Sequence, residues 1–587
     1  MGKIFRCTVC NYLYDENREN LLWDKLPEEW VCPICGSPRS VFVLMTPAET
    51  APPPAAVQTV SDILVRQMAD WGIRYVFSIP GTSALGLVEA LRKNPDIRYI
   101  QVRHEQAAAF MASAYGKLTG KAAGCLTVAG PGATNLATGL YDAKLDHAPV
   151  LALTGLVKRV QIGPGSFQEI DQQAFFDPIC VYNKTLMSEE QTTTLVTLAI
   201  KHALLERGVA HISVPNDVQK LPYDIPPLPV AGRISEQAVT APGRLIAAAA
   251  AVINSAQRPV IIIGHGAAGQ GPEIEQLAEK ISAPIVSTFR GKDIIGHEFS
   301  WYVGCHGTIG STAAARVVLH SDLLIVIGCS FSDKTQLPQK KIIQIDLDPM
   351  MLGKQFPVEV GLWGAASELV PALKAAVTQR TDQSYTIEVA GLKSDWQALL
   401  EKEASDRLPL RPPLILKLLN QAIAADAIIA LDVGEHCWWF GRNFQMRRGQ
   451  RLLFSGYLAA MGFGLPAAIA AQLADPGRQV VCITGDGGFS MVMAEFMTAV
   501  KYNLPVKIFV FNNHQLGMIM QEQRVEGYQN WQTDLHNCDF AEFARSCRGA
   551  GFRVQTKEQL VTAIQAAFDL PGPVIVDIDT DPRRFRQ

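Results

Sequence analysis

The chain has 587 residues, of which 48% are hydrophobic, and its 53 basic and 56 acidic side chains nearly cancel in charge. A length of this order predicts three or four domains at roughly 150 residues each, and the balanced charge gives no overall field that would hold nucleic acid. The start MGKIFRCTVC lacks the apolar core of a signal peptide, and no apolar run reaches the roughly 18 residues needed for stable membrane insertion. We therefore expect a cytoplasmic protein whose partners are small molecules or other proteins.

Four cysteines near the N-terminus form two CxxC pairs, Cys7 with Cys10 and Cys32 with Cys35. Four thiolates from two such pairs can bind iron or zinc in a tetrahedral site. The surrounding segments FRCTVCNYLYD and LPEEWVCPICGSP resemble rubredoxin, which favours iron as a one-electron centre, with a structural zinc ribbon as the alternative. We assign residues 1–45 to this metal domain and the Pro-rich stretch 46–59 to a semi-rigid linker.

Beyond the linker, short β-branched runs alternate with Ala- and Leu-rich stretches, which predicts parallel sheets with crossover helices. The fold class is therefore α/β, with three parallel-sheet domains over 60–230, 231–385 and 405–582, in addition to the small metal domain. The strand candidates are 76–80, 99–102, 124–130, 150–155, 211–215, 260–264, 284–288, 323–328, 342–348, 427–434, 480–488, 506–513 and 574–580.

Two polar clusters follow neighbouring strands of the third domain. The strand VVCIT continues into GDGGFS, which contains Asp486, and the strand VKIFVF is followed by a pair of asparagines that ends in Asn513. Ligands bind at the carboxyl ends of parallel strands, and carboxylate and amide oxygens suit Mg²⁺. The sequence therefore predicts a magnesium-diphosphate site, whereas the alternative is a tight turn and a strand cap. The glycines that would let the backbone approach a phosphate are Gly485, Gly487 and Gly488.

These motifs resemble those of the thiamine-diphosphate enzymes, whose signature is GDG, a spacer of this order and then NN. The resemblance covers 60–582 and is closest to bacterial pyruvate oxidases and pyruvate:quinone oxidoreductases, although acetolactate synthases share many of its segments. It implies a pyrimidine-binding, a central nucleotide-binding-like and a diphosphate-binding domain, in that order. It also implies thiamine diphosphate and Mg²⁺, with the metal held by Asp486, the Asn513 side chain and the carbonyl of Gln515.

By the same resemblance, Glu105 in RHEQAAAF would bond to the aminopyrimidine and promote loss of the thiazolium C2 proton. Met461 would hold the cofactor in a bent conformation, and Glu435 and His436 would lie around the diphosphate. Without the third-domain motif, Glu105 would instead be interpreted as a carboxylate in the first turn of a helix, and His436 is equally compatible with a structural role. Because sites of this family form between the first domain of one subunit and the third of another, we expect a homodimer or homotetramer.

The central domain contains a glycine pattern after a strand, in VIIIGHGAAGQ. Alone this pattern is a weak indication of a dinucleotide site. Flavin-bearing relatives, however, hold FAD in this domain, and FAD is therefore expected here; one departure is that Gly364-Ala365 stands where relatives usually have Gly-Asp. The residues expected to contact FAD are Gly264, Gly266, Gly269, Arg290, Lys292, Gly310 and Asp346.

Phe167 and Gln168 match a family segment that reaches toward the substrate, where an apolar wall suits the methyl group of pyruvate. The resemblance implies oxidative decarboxylation of a short 2-keto acid, pyruvate to acetate and CO₂, with electrons passing through FAD to the iron site. Met518 stands where the quinone-linked enzymes have an aromatic residue implicated in electron passage, so the acceptor, a redox protein or a quinone, stays open. The alternatives are an acetolactate-synthase-like carboligase or acyl transferase with structural FAD or none, and an electron-transfer or metal-sensing protein with a silent thiamine domain.

Overall fold

The computed structural model describes residues 3–10, 12–19, 21–45, 58–335, 337–382 and 384–583. Most of the predicted linker, 46–57, lies outside the described residues. The chain divides into two compact units, Met1–Thr59 with Pro222–Asp224, and the remainder. Over the described ranges the sheets are one of three strands and three of six, and no helix there is long and apolar enough to cross a bilayer. The predicted fold class is confirmed.

The N-terminal module is a small antiparallel sheet over an aromatic core. Strand β1 lies between β2 and β3, and the rings of Phe5 and Trp23 stack with their centroids 4.2 Å apart. A core of this size is too small to stabilise a domain without a metal or a crosslink. The elements are β1 (Ile4–Cys7), β2 (Leu13–Asp15), α1 (Glu16–Glu19) and β3 (Phe42–Leu44).

The first α/β domain is a parallel sheet in the order β5-β4-β6-β7-β9-β8, so the strand order reverses between β4 and β6. Every residue of β6, β7 and β9 is buried, as expected for central strands covered by helices on both faces. The strands are β4 (Tyr75–Ser78), β5 (Arg98–Gln101), β6 (Ala123–Thr127), β7 (Val150–Leu156), β8 (Tyr182–Thr185) and β9 (Val209–Pro215). The helices are α2 (Val60–Asp70), α3 (Leu85–Lys93), α4 (Glu105–Thr119), α5 (Pro131–Asn135), α6 (Ala137–Leu145), α7 (Gln172–Phe176) and α8 (Thr192–Leu205).

The central domain is a parallel sheet in the order β12-β11-β10-β13-β14-β15, which reverses between β10 and β13. Helix α13 packs Val389 and Trp396 onto its core, so this domain extends beyond its predicted end at 385. The strands are β10 (Pro259–Ile263), β11 (Ile285–Ser287), β12 (Tyr302–Cys305), β13 (Leu323–Ile327), β14 (Lys341–Asp346) and β15 (Val360–Trp363). The helices are α9 (Gly243–Ser255), α10 (Gly271–Ile281), α11 (Thr312–His320), α12 (Ala366–Ala376) and α13 (Ser384–Glu403).

The third α/β domain is a parallel sheet in the order β17-β16-β18-β19-β21-β20, which reverses between β16 and β18. The strands are β16 (Ile428–Leu431), β17 (Arg451–Phe454), β18 (Val480–Gly485), β19 (Lys507–Asn512), β20 (Ala550–Val554) and β21 (Val574–Asp579). The helices are α14 (Pro412–Ala422), α15 (Glu435–Asn443), α16 (Gly464–Ala474), α17 (Asp486–Val492), α18 (Phe496–Lys501), α19 (Gly517–Val525), α20 (Phe540–Ser546) and α21 (Lys557–Asp569).

The first and third domains share one hydrophobic core. Helices α4 and α16 pack against each other with mostly Ala side chains, and Phe110 meets Phe463 edge to face at 5.7 Å between ring centroids. Small side chains allow the two helix axes to approach closely, and the tight packing leaves little room for one helix to move against the other. The helix that begins with Glu105 is therefore held rigidly against the domain that carries the predicted diphosphate motif.

Candidate active site

The predicted diphosphate motif lines a cleft of about 260 Å³ at the carboxyl edge of the third sheet. The cleft opens where the strand order reverses between β16 and β18, which is where open α/β sheets bind ligands. Met518, which the sequence analysis considered only for electron passage, forms part of the wall with Ile519 and Glu522 of α19, which it did not predict. The sequence-predicted residues that line it are Glu435, His436, Met461, Gly485, Asp486, Gly487, Gly488, Asn513 and Gln515.

The cleft carries negative charge. Carboxylates of Glu435, Asp486, Glu522 and Asp581 line it, and no Lys or Arg does so in the described part of the chain. A diphosphate entering alone would be repelled by these groups, since like charges at short range interact strongly away from bulk water. A divalent cation between the carboxylates and the phosphates removes that repulsion, so the donor set suits a magnesium-diphosphate group.

Asp486 is oriented by an asparagine that the sequence analysis missed. Asp486 is the first residue of α17 and is only 3% exposed, and burial raises the pKa of its carboxyl to about 6. The Asn537 Nδ2 donates to Asp486 Oδ2 at 2.7 Å and to Asn512 Oδ1 at 3.0 Å. Asn537 lies 51 residues from Asp486 along the chain. Its amide thus links the carboxyl ends of two neighbouring strands, β18 and β19.

The second predicted metal ligand is held by a neighbouring carboxylate. The Asn513 Nδ2 donates to Glu435 Oε2 at 3.3 Å, while its Oδ1 accepts the backbone N–H of Gln515 at 3.2 Å. The Gln515 carbonyl accepts the N–H of Gly517 at 3.0 Å. Amide and carbonyl oxygens each have a second lone pair, so both remain able to ligate a cation. A Cβ on Gly517 would lie 2.0 Å from Glu435 Oε2, so any other residue here would displace the Glu435 carboxylate.

His436 is buried beside the motif and is bound to the backbone. Its Nε2 lies 2.9 Å from the carbonyl oxygen of Asp432, which can only accept, so the proton is on Nε2. Burial lowers the pKa of His436 to about 4, and its Nδ1 in the neutral ring is an acceptor. An acceptor does not suit a phosphate oxygen, so the role of His436 at the diphosphate stays a prediction. The Asp432 side chain accepts from Gly462, next to Met461, and from Thr484.

Glu105 lies at the N-terminus of α4 in the first domain. His104 caps this helix, with its Nδ1 accepting the N–H of Gln106 at 3.2 Å. The Asn135 Nδ2 donates to Glu105 Oε2 at 3.0 Å, and a Cβ on Gly132 would lie 3.3 Å from the other carboxylate oxygen. Among the described residues, those lining the third-domain cleft do not include Glu105.

The predicted substrate segment lies near Glu105 but not in the cleft of its own chain. The Glu169 carboxylate accepts three backbone N–H groups of this loop, including that of Ser166 at 2.8 Å, and these bonds hold its pKa below the usual range. Gln168 has a φ of 62°, and a Cβ on Gly130 would lie 3.0 Å from its carbonyl oxygen. The ring of Phe167 is 89% exposed, so in the single chain it forms no apolar wall.

The four N-terminal cysteines form one cluster. Their sulfur atoms all lie within 4.8 Å of one another, with 3.7 Å between Cys7 and Cys35 and 3.5 Å between Cys10 and Cys32. Two of the thiols are buried, while Cys35 is exposed. An all-sulfur donor set of this size suits a tetrahedral iron or zinc ion.

Comparison with known families matches this order of domains. The N-terminal TPP binding domain of thiamine pyrophosphate enzymes matches residues 58–175, the central domain matches 246–373 and the C-terminal TPP binding domain matches 432–578. The chain belongs to the thiamine pyrophosphate enzyme family. Its N-terminal module is in addition a rubredoxin domain, matched over residues 4–42.

Relatives within the thiamine pyrophosphate enzyme family carry different activities in their names. A Bacillus subtilis protein described as thiamine pyrophosphate-containing is 37% identical, over 89% of this chain and 92% of its own length. Pyruvate oxidase of Lactiplantibacillus plantarum is 32% identical, over 88% of this chain and 87% of its own. Acetolactate synthase isozyme 1 large subunit of Escherichia coli is also 32% identical, over 89% and 94%. Similarity therefore shows the family and does not separate an oxidase from a synthase.

In the central domain of this family member, two of the three glycines in the predicted flavin pattern are needed for packing, and the third, Gly269, has a φ of 80° with open space around an added Cβ. A Cβ on Gly264 would lie 2.2 Å from the carbonyl oxygen of Gly328, and one on Gly266 would lie 2.8 Å from the Gly328 Cα. The loops after β10 and β13 thus touch at the point where the strand order reverses. Asp346 ends β14 at the same edge, and burial raises its pKa. A carboxylate there suits the hydroxyl groups of a ribose.

The cationic residues predicted for FAD have protein partners. Arg290 lies 3.3 Å from Asp146 and, with Gly269, lines a second cavity of about 500 Å³. Lys292 is buried and donates to the Gly441 carbonyl of the third domain at 3.0 Å, so its ammonium group is directed away from the edge of its own sheet. Gly310 also belongs to a tight loop, where a Cβ would lie 2.4 Å from the Cys305 carbonyl oxygen. The features that fit FAD are therefore Asp346 and the edge of the sheet where the loops after β10 and β13 meet.

Proposed function

We propose that this enzyme oxidatively decarboxylates a short 2-keto acid, with pyruvate as the leading substrate. Pyruvate and water would give acetate, CO₂, two protons and two electrons, and a redox protein or a quinone would finally accept the electrons. The observation that carries the proposal is the four-thiolate site in a rubredoxin domain on the same chain as the thiamine pyrophosphate enzyme domains. A carboligase has no use for a one-electron centre.

Residues from the first and third α/β domains would each contribute to the reaction. Asp486, the Asn513 side chain and the Gln515 carbonyl would hold Mg²⁺ and, through it, the diphosphate. Bound thiamine diphosphate supplies the carbon nucleophile and the electron sink for decarboxylation. The Glu105 carboxyl would share a proton with the aminopyrimidine ring nitrogen, and the apolar side chain of Met461 would support the cofactor in its bent conformation.

The charge of the cleft does not by itself separate oxidation from carboligation. Glu522 adds a carboxylate to a wall that is otherwise formed by Met518 and Ile519 on the same helix. In a carboligase the second keto acid enters after the carboxylate of the first has left as CO₂, so it meets the same charge as the first. Acetolactate synthase activity is the second candidate, and the similarity to those enzymes supports it.

FAD would lie at the carboxyl edge of the central sheet, with Asp346 accepting from its ribose. The group would supply two-electron uptake and one-electron release to the four-cysteine site, where we propose iron. The position of Asp346 and the four thiolates support these assignments, whereas the glycine pattern alone does not, because Gly264 and Gly266 are already needed for packing and Gly269 has a positive φ.

We further propose that the active enzyme is at least a homodimer, in which Glu105 completes the cleft of the partner subunit. Its absence from the described lining of its own cleft supports this. The Glu105→Gln and Asp486→Ala variants should each be inactive alone and regain activity when co-expressed, because one of the two mixed sites then contains both native residues. Failure of the purified mixed dimer to regain activity would contradict the shared site.

The test of the reaction is an anaerobic absorbance spectrum of the protein loaded with Mg²⁺ and thiamine diphosphate, before and after pyruvate is added. Flavin and ferric-thiolate bands that both bleach support the oxidoreductase. The Glu105→Gln variant is the matched control and should keep both bands. A colourless protein that consumes pyruvate and releases acetolactate would instead establish the carboligase, with zinc in the cysteine site.

A further inference from the structure

A buried glutamate connects the helix of the metal motif to the segment before Glu105. Glu495 ends the short turn Met493–Glu495, which directly follows α17, and it is 1% exposed. Its Oε1 accepts the backbone N–H of Arg103 at 2.9 Å and that of His104 at 3.0 Å. One side chain of the third domain therefore binds both amides that immediately precede α4 in the first domain.

These two bonds act where the helix begins. His104 is the N-cap of α4 and has an extended backbone, with φ of −147°, so its N–H lies outside the hydrogen bonds of the helix. The other oxygen of Glu495 accepts the hydroxyl of Thr498 at 2.7 Å, so this bond is separate from those to the two amides. Loss of Glu495 would leave two backbone donors without this acceptor and would release the segment on which the position of Glu105 depends.

We propose that Glu495 is a positioning residue for the active-site glutamate: it fixes the backbone at Arg103 and His104 and thereby sets where the Glu105 carboxyl meets the aminopyrimidine. This inference rests on the role proposed for Glu105. Because Asp486 would serve the cleft of its own chain while Glu105 serves that of the partner, α17, the turn that ends in Glu495 and the two hydrogen bonds of Glu495 form a short connection between the two sites.

The test compares Glu495→Met, which removes the acceptor at similar length, with Glu495→Gln, which keeps a carbonyl oxygen in the same place. Thr498→Val is the matched control, since it removes the other partner of the carboxylate and leaves the two amides bound. Glu495→Asp, shorter by one methylene, provides a second disruptive variant if the methionine variant does not fold.

Two measurements separate positioning from general stability. The first is amide hydrogen exchange at Arg103 and His104 in protein without cofactor. The second is the rate at which the C2 proton of bound thiamine diphosphate exchanges in deuterated water, recorded with the Kd of the cofactor. In Glu495→Met we expect faster amide exchange, a C2 exchange rate lower by about 10- to 100-fold and an unchanged Kd, because small misplacements of a reacting group have effects of this size.

The outcomes are distinct. Glu495→Gln and Thr498→Val should both match the native protein, and Glu495→Met should add no further slowing to a Glu105→Gln variant. Native C2 exchange in Glu495→Met, while Glu105→Gln is slow, would overturn the role of Glu495 alone. Native C2 exchange in Glu105→Gln would overturn the proposed role of Glu105 and this inference with it.

Discussion

Replacing Asn537 with alanine should weaken Mg²⁺ binding without changing the ligands themselves. The lost hydrogen bond, 2.7 Å from Asn537 Nδ2 to Asp486 Oδ2, goes to a buried carboxylate, and bonds to charged groups contribute about 1.5–3 kcal/mol. At 1.4 kcal/mol for each tenfold change in Kd, this corresponds to a loss of about 10- to 150-fold. Removing partners that orient metal ligands typically costs 10- to 100-fold in metal affinity, which agrees with this range.

The assay is a titration of Mg²⁺ at saturating thiamine diphosphate, followed by the fluorescence of Trp439, which lines the cleft, among the other tryptophans. The matched control is Asn420→Ala, which removes one hydrogen bond, to the Gln445 carbonyl, on the same domain outside the cleft. Its Kd for Mg²⁺ should equal that of the native protein. An unchanged Kd in a folded Asn537→Ala variant would refute the assignment of Asp486 as a metal ligand oriented by this amide.

Three further predictions concern pH, the cysteine site and packing. Only the ionised carboxylate binds a cation, and burial raises the pKa of Asp486 to about 6. Calorimetry should therefore find that the Mg²⁺ affinity is constant well above pH 6 and falls about tenfold for each pH unit below it. An affinity that stays level down to pH 5 would contradict this. Cys35→Ala should lower the bound metal below one equivalent per N-terminal module in elemental analysis, and full retention would exclude Cys35 as a ligand. Gly264→Ala should lower the free energy of unfolding in urea by about 1–3 kcal/mol, because the added Cβ would overlap the Gly328 carbonyl oxygen. Gly243→Ala is the control and should leave the free energy of unfolding unchanged, because no atom lies within 4 Å of its added Cβ.

Interior strands could be predicted from the sequence, and most edge strands could not. Strands such as β7 and β13 are buried along their whole length, so they stand out as continuous apolar runs. In the three α/β domains, the strands that the sequence analysis missed are β8, β12, β15, β17 and β20, and all of them lie at the edges of their sheets. In β20 only the last residue is buried, so its apolar pattern is weak. Pairing with a neighbouring strand, rather than its own composition, makes such a segment a strand.

The sequence by itself determined the chemistry that is encoded within a few residues. The two CxxC pairs and the GDGG segment with Asn513 bring their groups together by local geometry, at knuckles or at strand ends, and the structure has the cysteines in one cluster and the metal motif in one cleft. The cysteine site could be identified from its spacing, and the metal motif from the fact that parallel strands end at a common edge together with the resemblance to known enzymes.

Only the tertiary structure decided which distant residues support those groups. Asn537 reaches Asp486, Glu495 reaches the segment before Glu105, and Lys292 reaches Gly441 rather than the edge of its own sheet. Each contact joins residues from 51 to 391 positions apart, and its partner is set by how helices and strands pack. A polar side chain in a loop satisfies whichever buried group the fold brings within hydrogen-bonding distance, and no local pattern in the sequence specifies that group.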